Sequence, residues 1–306
     1  MNYKKIFRTR KTRQTILRTL SFVPDSLMLR IQYWIKFGRM LNLKNPQRFT
    51  EKLQWYKLYY KDPQMVQCVD KYDVRAYVKS LGLGSILNEC YGVFDRPEDI
   101  DFSKLPERFV LKDTLGGGGN SVILVPNKSR MDVDAVMSRM RRWVNMNHRV
   151  RSGGREWPYY SGKKHRIIVE KFIDSESKKG GLIDYKFFCF HGKVAYIYGI
   201  ADRIMGNGAG LGIYNAEFAL LPYRRADEHP LLRELQKPDN FDVLIDCAQK
   251  LSQRFPHARV DFYDQDNRII FGEITFFDGS GYMKYEPDEF DFTAGEMFDL
   301  PEKRMR

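Results

Sequence analysis

Residues 109–125 place a run of four glycines between two short apolar segments. The first segment ends on Lys112, the glycines occupy positions 116–119, and the second segment is Val122–Val125. Glycines let backbone N–H groups wrap phosphate oxygens, and a nearby lysine supplies positive charge. GxxxxGK[ST] is absent and a strand is predicted after the run, which excludes a P-loop and a Rossmann turn. The pattern predicts a phosphate-binding hairpin, with a merely flexible hairpin as the alternative.

A second pattern pairs acidic residues across a predicted β-hairpin near the C-terminus. Alternation puts Arg259, Asp261 and Tyr263 on one face of a strand, and Glu273 and Thr275 on one face of the next. Two adjacent carboxylates repel unless a cation lies between them, and oxygen-only ligands suit Mg²⁺. Arg259 can then meet a phosphate that the metal also holds. The alternative is a set of charges on the solvated face of a hairpin.

The remaining patterns predict an α+β protein with a helical N-terminal part and a strand-rich remainder. The chain has 306 residues, 43% of them hydrophobic, which favours one large lobe or two to three smaller ones. Helices are expected within residues 1–60, broken at Pro24 and Pro46, and over 64–81, 131–147 and 241–255. Strands are expected near 86–94, 109–112, 122–125, 167–169, 184–190, 193–200, 258–263 and 268–275, and a loop over 206–212.

The positive charge is concentrated at the start of the chain. Residues 1–60 hold fourteen Lys and Arg against two acidic residues, which is the entire formal excess of +12. An anionic membrane, a nucleic acid or an acidic polymer fits such a segment, although no nucleic-acid-binding module accompanies it. Six aromatic residues at roughly helical spacing favour a packed or membrane-resting helix: Tyr33, Trp34, Phe37, Phe49, Trp55 and Tyr56. The alternative is a solvated basic helix packed on the body of the protein. Membrane binding would be salt-sensitive and lost on deletion of residues 1–20.

The cellular compartment is suggested by the cysteines and by the lack of long apolar runs. No run of about eighteen apolar residues exists, and the basic N-terminus lacks the apolar core and cleavage site of a secretion signal. The four cysteines form no CxxC, and the five histidines are scattered, which disfavours a His/Cys metal site. We therefore expect a cytoplasmic protein, peripheral at the inner face of the plasma membrane through its basic segment.

In their order along the chain, these motifs resemble the ATP-grasp superfamily, whose fold clamps ATP between two α+β lobes. The resemblance runs from about residue 69 to 281 and implies ATP and Mg²⁺ as cofactors. It implies nucleotide contacts from Lys71, Lys112, Gly116, Gly117, Gly118, Gly119, Glu170, Lys171, Ile173, Asp184 and Lys186. It further implies metal ligation by Asp261, Glu273 and Thr275, and catalytic roles for Arg259, Lys186 and Arg203. Thr275 replaces the asparagine of the usual Glu-x-Asn motif, so the number of metal ions is left open.

A narrower resemblance is to the TupA-like ATP-grasp group, which is associated with bacterial cell-surface polysaccharides. It is carried by Asn-Pro-Gln-Arg-Phe-Thr-Glu-Lys from Asn45, Leu-Pro-Glu-Arg-Phe-Val-Leu-Lys from Leu105, Asp-Tyr-Lys-Phe-Phe from Asp184 and Phe-Gly-Glu-Ile-Thr from Phe271. It implies four regions: a basic helical arm (1–60), a short N-terminal lobe (61–105), a small lobe with the glycine loop (106–180) and a C-terminal lobe with the metal site (181–306). The short second region suggests that the basic arm and the loops 148–164 and 206–212 hold the acceptor.

The activity implied is a carboxylate–amine ligation through an acyl phosphate. The acceptor would be a uronic acid or another carboxylate on a polysaccharide or sugar, and the second substrate an amino acid or amine. One alternative is a glycosyltransferase using a nucleotide sugar, since Asp-x-Asp occurs three times, at Asp99, Asp132 and Asp264. An ATP-grasp kinase of a sugar hydroxyl is another alternative, and a non-catalytic scaffold on the membrane is a third.

Overall fold

The computed structural model describes residues 19–117, 121–146, 153–174, 182–204, 208–265 and 267–304, and only the backbone of residues 202–204 and 208. The helices in these residues are α1 (Asp25–Phe37), α2 (Phe49–Tyr59), α3 (Pro63–Cys68), α4 (Val74–Ser80), α5 (Val133–Val144), α6 (Phe241–Ser252) and α7 (Glu289–Glu296). The strands are β1 (Cys90–Phe94), β2 (Phe109–Asp113), β3 (Val122–Val125), β4 (Ile167–Lys171), β5 (Asp184–Phe190), β6 (Lys193–Ile204), β7 (Gly208–Asn215), β8 (Arg224–Arg225), β9 (His229–Pro230), β10 (His257–Gln265), β11 (Arg268–Thr275) and β12 (Tyr285–Glu286). The predicted α+β class is confirmed.

Four antiparallel strands form the first sheet, in the order β1–β4–β2–β3. Helix α5 packs on this sheet by burying Met140 and Trp143 in its core. The helix begins where predicted, because the Asp132 carboxylate accepts a hydrogen bond from the backbone N–H of Ala135 (2.9 Å), as N-cap aspartates do. The glycine run lies between β2 and β3, at one end of this sheet.

Six strands form the second, larger sheet, in the order β11–β10–β5–β6–β7–β9, and all pairs except β7–β9 are antiparallel. Successive residues of β5 point to opposite faces. Phe187 contacts Phe241 of α6, and Phe188 contacts Phe49 of α2. Helices therefore cover both faces of this sheet, and each large side chain buried there contributes about 1.5–3 kcal/mol.

Helices α1 and α2 are packed on the body of the protein, as the aromatic spacing predicts. Phe49, Leu53 and Tyr56 of α2 are fully buried in the core of the larger sheet. The hydroxyl groups of Tyr33 in α1 and Thr50 in α2 share a hydrogen bond of 2.9 Å. Residues 1–18 of the predicted basic arm lie outside the described residues. Among the described residues, no helix has the length and apolar character needed to cross a membrane.

The helix predicted over residues 64–81 is wrong in its middle, because Asp70 interrupts it between α3 and α4. The buried Asp70 carboxylate accepts hydrogen bonds from the backbone N–H groups of Tyr72 and Asp73, both at 2.9 Å, and from Arg166 at 3.0 Å. Aspartate side chains compete in this way with helical hydrogen bonds. The resulting turn carries Lys71, whose N–H donates to the carbonyl oxygen of Thr114 (2.9 Å), toward the glycine loop.

The loop predicted over residues 206–212 is wrong from residue 208 onward, since β7 begins there and pairs with β6. Its glycines are explained by packing rather than by a loop. A Cβ at Gly210 would lie 2.9 Å from the Cα of Leu231, and one at Gly212 would lie 2.5 Å from a methyl carbon of Leu231. Residues 205–207 lie outside the described part. His191 and Gly192 form the turn between β5 and β6, with φ of 48° and 75°.

Candidate active site

The predicted pairing of two carboxylates is confirmed by the register of the β10–β11 hairpin. Asp261 lies directly opposite Glu273, and Arg259 lies opposite Thr275. Gly272 forms a β-bulge beside this pair, and a Cβ there would lie 3.1 Å from the carbonyl oxygen of Asp261. A bulge adds local twist and redirects neighbouring side chains. All four polar side chains therefore meet on one face of the hairpin.

The guanidinium group of Arg259 connects the acidic side chains. Its Nε donates to Asp261 Oδ1 (2.7 Å), Nη2 donates to Asp261 Oδ2 (2.7 Å) and Glu273 Oε1 (3.0 Å), and Nη1 donates to Asp278. Burial alone would lower the pKa of Arg259, but the attraction of Asp261 and Asp278 raises it well above its usual value. Arg259 therefore carries a permanent charge beside the paired carboxylates.

Two lysines bring further positive charge to the same place. Lys186 on β5 lies opposite Asp261 and forms ion pairs with Asp261 and with Asp184, the latter at 2.9 Å. Burial would lower the pKa of Lys186, but these two carboxylates raise it. The ammonium of Lys71 lies 3.9 Å from Glu273 Oε2 and donates to the carbonyl oxygen of Gly116. Lys71 thus links the glycine loop to the hairpin.

Glu273 is held in its ionised form by the cations around it. Burial would raise its pKa, but the positive charges of Lys71 and Arg259 lower it to about 2. The Thr275 hydroxyl donates to Glu273 Oε1 at 3.2 Å. Asp261, Glu273 and Thr275 therefore present only oxygen donors, the set that Mg²⁺ prefers.

The donor set fits a magnesium ion that also binds a polyphosphate. In the parts of the chain that the structure describes, no group of three or more His, Cys, Asp or Glu side chains could hold a metal ion. Magnesium is commonly bound by one or two carboxylates while substrate phosphates complete its coordination. Asp261 and Glu273, with Thr275 beside them, could supply the protein's share of such a site.

The strand ends of the smaller sheet add a second ion-pair cluster. Lys112 Nζ lies 2.6 Å from Glu170 Oε2, and Arg75 Nη1 lies 3.4 Å from Glu170 Oε1. Burial would lower the pKa of Lys112, but the charges of Glu170 and, more weakly, Glu273 raise it. Lys71 joins the two clusters, since its ammonium contacts Gly116 in the loop that follows β2 and lies 3.9 Å from Glu273 on the hairpin. Lys112 is therefore placed to contact a ligand lying between them.

The glycine loop begins with a tight turn. The Gly116 N–H donates to the carbonyl oxygen of Asp113 (3.1 Å), and a Cβ at Gly116 would overlap the Ser121 side chain. Gly117 has open space around it. Gly118 and Gly119 lie outside the described residues, so their predicted phosphate contacts stay predictions.

The remaining predicted nucleotide contacts lie along β4 and β5. Lys171 ends β4, and its side chain points away from the cluster to Glu89 at 3.3 Å. Ile173, two residues after Lys171, borders an open cavity lined also by Arg108, Phe172 and Gln265. Asp184 is buried and paired with Lys186. Arg203 belongs to β6, but its side chain lies outside the described part, so its catalytic role stays a prediction.

A polar cluster that the sequence did not predict extends beyond Arg259. The Lys57 ammonium is buried and donates to the carbonyl oxygens of Gly154 (2.8 Å) and Ser280 (2.7 Å). The Ser280 hydroxyl donates to the Glu156 carboxylate. Burial lowers the pKa of Lys57 to about 8 and raises the pKa of Glu156. Three distant segments form this cluster, so no local pattern signals it.

Tyr159 lies in the same turn as Glu156, since its N–H donates to the carbonyl oxygen of Glu156 (3.1 Å). Burial raises the pKa of the Tyr159 phenol, and the negative charges of Glu156, Glu273 and Asp261 raise it further. Its ring keeps a partial exposure to solvent. The cluster of Lys57, Glu156, Ser280 and Tyr159 is called the distal cluster below.

The Asp-x-Asp sequences have local structural roles. Asp101 Oδ1 accepts a hydrogen bond from the backbone N–H of Ser103 (3.0 Å), and Asp132 caps helix α5. Asp264 is buried in β10, and Asp266 lies outside the described residues. Asp101, Asp132 and Asp264, which the structure describes, are not among the side chains that meet between the sheets.

The family model described as TupA-like ATPgrasp matches residues 51–299. This chain therefore belongs to the TupA-like ATP-grasp family and has the ATP-grasp fold. The match extends beyond the predicted span of 69–281 at both ends. It includes α7 and, apart from the first two residues, α2. No curated protein sequence matches the chain.

Solved structures similar to this chain include two D-alanine–D-alanine ligases. The one from Bacillus anthracis is 17% identical over 69% of this chain and 57% of that chain, with a TM-score of 0.42. The one from Helicobacter pylori is 14% identical over 79% and 66%, with a TM-score of 0.42. N5-carboxyaminoimidazole ribonucleotide synthetase from Thermus thermophilus is 10% identical over 71% and 48%, with a TM-score of 0.40. The chain thus covers between about half and two thirds of the length of these proteins.

Proposed function

We propose that this protein is an ATP-dependent ligase that joins a carboxylate to an amine during synthesis of a bacterial cell-surface polysaccharide. One observation carries the proposal. Four cationic side chains converge on carboxylates between the two sheets, next to the start of the glycine loop: Lys71, Lys112, Lys186 and Arg259. The polysaccharide part is an extension from membership of the TupA-like family, and the acceptor would be a uronic acid or a similar sugar carboxylate.

The proposed reaction has two steps. A carboxylate oxygen of the acceptor attacks the γ-phosphorus of ATP, the bond to the β,γ-bridging oxygen breaks, and ADP leaves. The amine nitrogen then attacks the acyl carbon, the bond from that carbon to the phosphate oxygen breaks, and inorganic phosphate leaves. The amine gives up one proton in forming the amide. The first step spreads negative charge over the phosphoryl oxygens, so positioned cations matter more than an acid or base.

The position of each side chain suggests its role in the reaction. Lys112 and Lys71 adjoin the glycine loop and would bind the phosphates on that side. Arg259 and Lys186 would neutralise the charge on the transferred group, releasing their bonds to Asp261 as they do so. A magnesium ion held by Asp261, Glu273 and Thr275 would supply Lewis-acid charge stabilisation. Closure of the glycine loop would exclude water, which otherwise hydrolyses an acyl phosphate.

The distal cluster is our candidate for the acceptor side of the site. It lies beyond Arg259, since Asp278 bonds Arg259 and the next turn of chain supplies Ser280. Glu156 offers a carboxylate, and Tyr159 and Ser280 offer hydroxyl groups suited to a sugar or an ammonium group. This placement also agrees with part of the predicted acceptor loop, residues 148–164.

A thermal-shift assay with Mg-ATP, Mg-ADP and a panel of nucleotide sugars tests the nucleotide site. A ligand at one hundred times its dissociation constant stabilises the protein by about 2.7 kcal/mol. We expect a shift with Mg-ATP that is weakened in Lys112→Ala and Asp261→Asn. Lys250→Ala and Asp246→Asn are matched controls, because these two side chains form a solvent-exposed ion pair with each other.

Product analysis then separates the activities. A ligase releases ADP and phosphate, and hydroxylamine traps its acyl phosphate as a hydroxamate in the presence of a uronic-acid acceptor. A kinase would release ADP without free phosphate. A shift with a nucleotide sugar but none with ATP would reject the proposal in favour of a glycosyltransferase.

A further inference from the structure

Helix α1 exposes a continuous apolar face. Leu27, Ile31, Trp34 and Ile35 retain 50%, 43%, 51% and 38% of their surface. Their spacing of four, three and one residues places them on one side of an α-helix. The opposite side is buried in the protein. The face is therefore a surface feature of a packed helix and not an incompletely packed core.

Two further exposed apolar side chains flank the helix in sequence. Phe22, just before α1, and Met40, just after it, are the next exposed large apolar side chains along the chain. Arg30 borders the face and is exposed, while its guanidinium reaches the carbonyl oxygen of Leu41 (3.1 Å). An apolar face bordered by a basic residue is typical of helices that lie in a membrane interface.

The charge of the neighbouring sequence identifies the kind of partner. Residues 1–24 carry seven Lys and Arg and no acidic residue. Such a segment is attracted to the negative potential of an anionic bilayer. Nucleic acid would account for the charge but not for four exposed apolar side chains on one helix face.

From these observations we propose that the outer face of α1 docks on an anionic lipid bilayer, inserting Leu27, Ile31, Trp34 and Ile35 at the interface. The helix has thirteen residues, about 20 Å of length. It would lie in the plane of the interface, since no helix among the described residues can cross a membrane. The family match begins at residue 51, so this surface lies outside the part shared with the family.

The inner side of α1 is tied to the segment that carries the distal cluster. Gln32 Nε2 donates to the carbonyl oxygen of Gly153 (2.8 Å), and the Tyr282 hydroxyl donates to Gln32 Oε1 (2.6 Å). The buried Arg155 guanidinium donates to the carbonyl oxygen of Leu20 (2.7 Å) and to Asp25 (3.2 Å). Docking of α1 would therefore hold this side of the site near the bilayer. The docking itself does not depend on the proposed ligase activity.

Co-sedimentation of the full chain with vesicles tests the inference directly. We expect binding to phosphatidylcholine vesicles containing phosphatidylglycerol, little binding to pure phosphatidylcholine, and weakening as salt rises from about 50 to about 500 mM. Ile31→Ser/Trp34→Ser should lower the partition coefficient at least about tenfold, because two apolar side chains no longer insert. Leu124→Ser/Val243→Ser is the matched control, since these residues are 52% and 53% exposed elsewhere on the protein.

Fluorescence supplies a measurement that needs no destabilising change. Trp34 is more exposed than Trp55, Trp143 and Trp157. Anionic vesicles should shift its emission to the blue and brominated lipids should quench it, and Trp34→Phe should remove both effects while vesicle binding persists.

Several results would overturn the inference. One is equal partition of Ile31→Ser/Trp34→Ser and the control into vesicles. The others are binding that does not depend on the charge of the lipid, and Trp34 fluorescence that brominated lipids fail to quench in vesicle-bound protein. A wild-type dimer that Ile31→Ser/Trp34→Ser converts to monomer, without vesicle binding, would assign the face to a second copy of the chain. Vesicle binding is measured without ATP, so a failure here is distinguishable from a failure of the ligase proposal.

Discussion

Arg259 and Asp261 form a two-bond ion pair within one strand, with Nε to Oδ1 and Nη2 to Oδ2 both at 2.7 Å. Both side chains are buried, and Glu273 joins the pair from the neighbouring strand. The arginine predicted to stabilise the transferred phosphoryl group is thus held by the carboxylate predicted to bind the metal. A Mg-polyphosphate ligand offers each of them a new partner at the same time, so binding can exchange these ion pairs without leaving a buried charge unpaired.

Arg259→Lys should separate charge from geometry. Lysine keeps the positive charge but cannot make two parallel bonds to Asp261 and a third to Glu273. We expect a loss of about 1–3 kcal/mol in the free energy of unfolding and at least about a hundredfold loss of ATP-dependent turnover. Urea titration and phosphate release measure the two effects. Arg254→Lys is the control, because the Arg254 side chain is half exposed where it pairs with Asp62. It should change neither the stability nor the turnover. Unchanged turnover in Arg259→Lys would remove Arg259 from the mechanism.

Thr275→Asn should preserve or strengthen Mg-ATP binding, whereas Thr275→Val should weaken it. The Thr275 hydroxyl contacts Arg259 Nη2 (3.1 Å) and Glu273 Oε1 (3.2 Å), and valine of similar shape removes this oxygen. Loss of one oxygen at the site should cost about 1–2 kcal/mol of binding, about five- to thirtyfold in dissociation constant. Calorimetric titration with Mg-ATP measures it. If valine and threonine bind equally, Thr275 takes no part in the site.

Lys112→Met should weaken ATP binding by about ten- to a hundredfold. The change removes a phosphate-directed charge and leaves the buried Glu170 carboxylate paired with Arg75 at 3.4 Å. Lys250→Met removes an exposed lysine that is paired with Asp246 and should leave affinity unchanged. Equal affinities for the two variants would contradict the prediction that Lys112 contacts the nucleotide.

Gly116→Ala should disrupt the start of the glycine loop, while Gly117→Ala should not. A Cβ at Gly116 overlaps Ser121 and lies 2.9 Å from an oxygen of Asp113, whereas a Cβ at Gly117 meets open space. We expect Gly116→Ala to lower the free energy of unfolding by about 1–3 kcal/mol and to reduce ATP affinity. Thermal unfolding with and without Mg-ATP compares the variants. Identical behaviour of both alanine variants would show that the turn at Gly116 adjusts freely.

His257 should make stability depend on pH between about 4 and 6.5. Burial lowers its pKa to about 4, so the folded protein keeps His257 neutral where the unfolded chain already binds a proton. Stability is therefore complete above pH 6.5 and falls as pH drops, by about 3 kcal/mol at pH 4. Urea titrations at several pH values give the free energy of unfolding as a function of pH. Its slope against pH should be smaller for His257→Gln than for the wild type. His229→Gln changes an exposed histidine and should keep the wild-type slope. Equal slopes in the wild type and both variants would show that His257 does not cause the pH dependence.

The parts of the site that could be predicted are those encoded by local periodicity. Arg259, Asp261, Glu273 and Thr275 share a face because alternation in two adjacent strands requires it, and a short turn between the strands fixes their pairing. Lys112 and the glycines were recognisable for the same reason, since a strand, a loop and a strand are contiguous in sequence.

What the sequence did not reveal depends on contacts between distant segments. The helix over 64–81 breaks because Arg166, 96 residues away, helps to hold the Asp70 carboxylate against the backbone. Lys57 appeared only as one of many basic residues, yet contacts with residues 154 and 280 bury it in the distal cluster. The amino-acid order alone therefore determined the fold class, the strand faces and the charged N-terminal segment. Tertiary packing decided which charges are buried together and which face of α1 stays exposed, because desolvation depends on neighbours that no local pattern specifies.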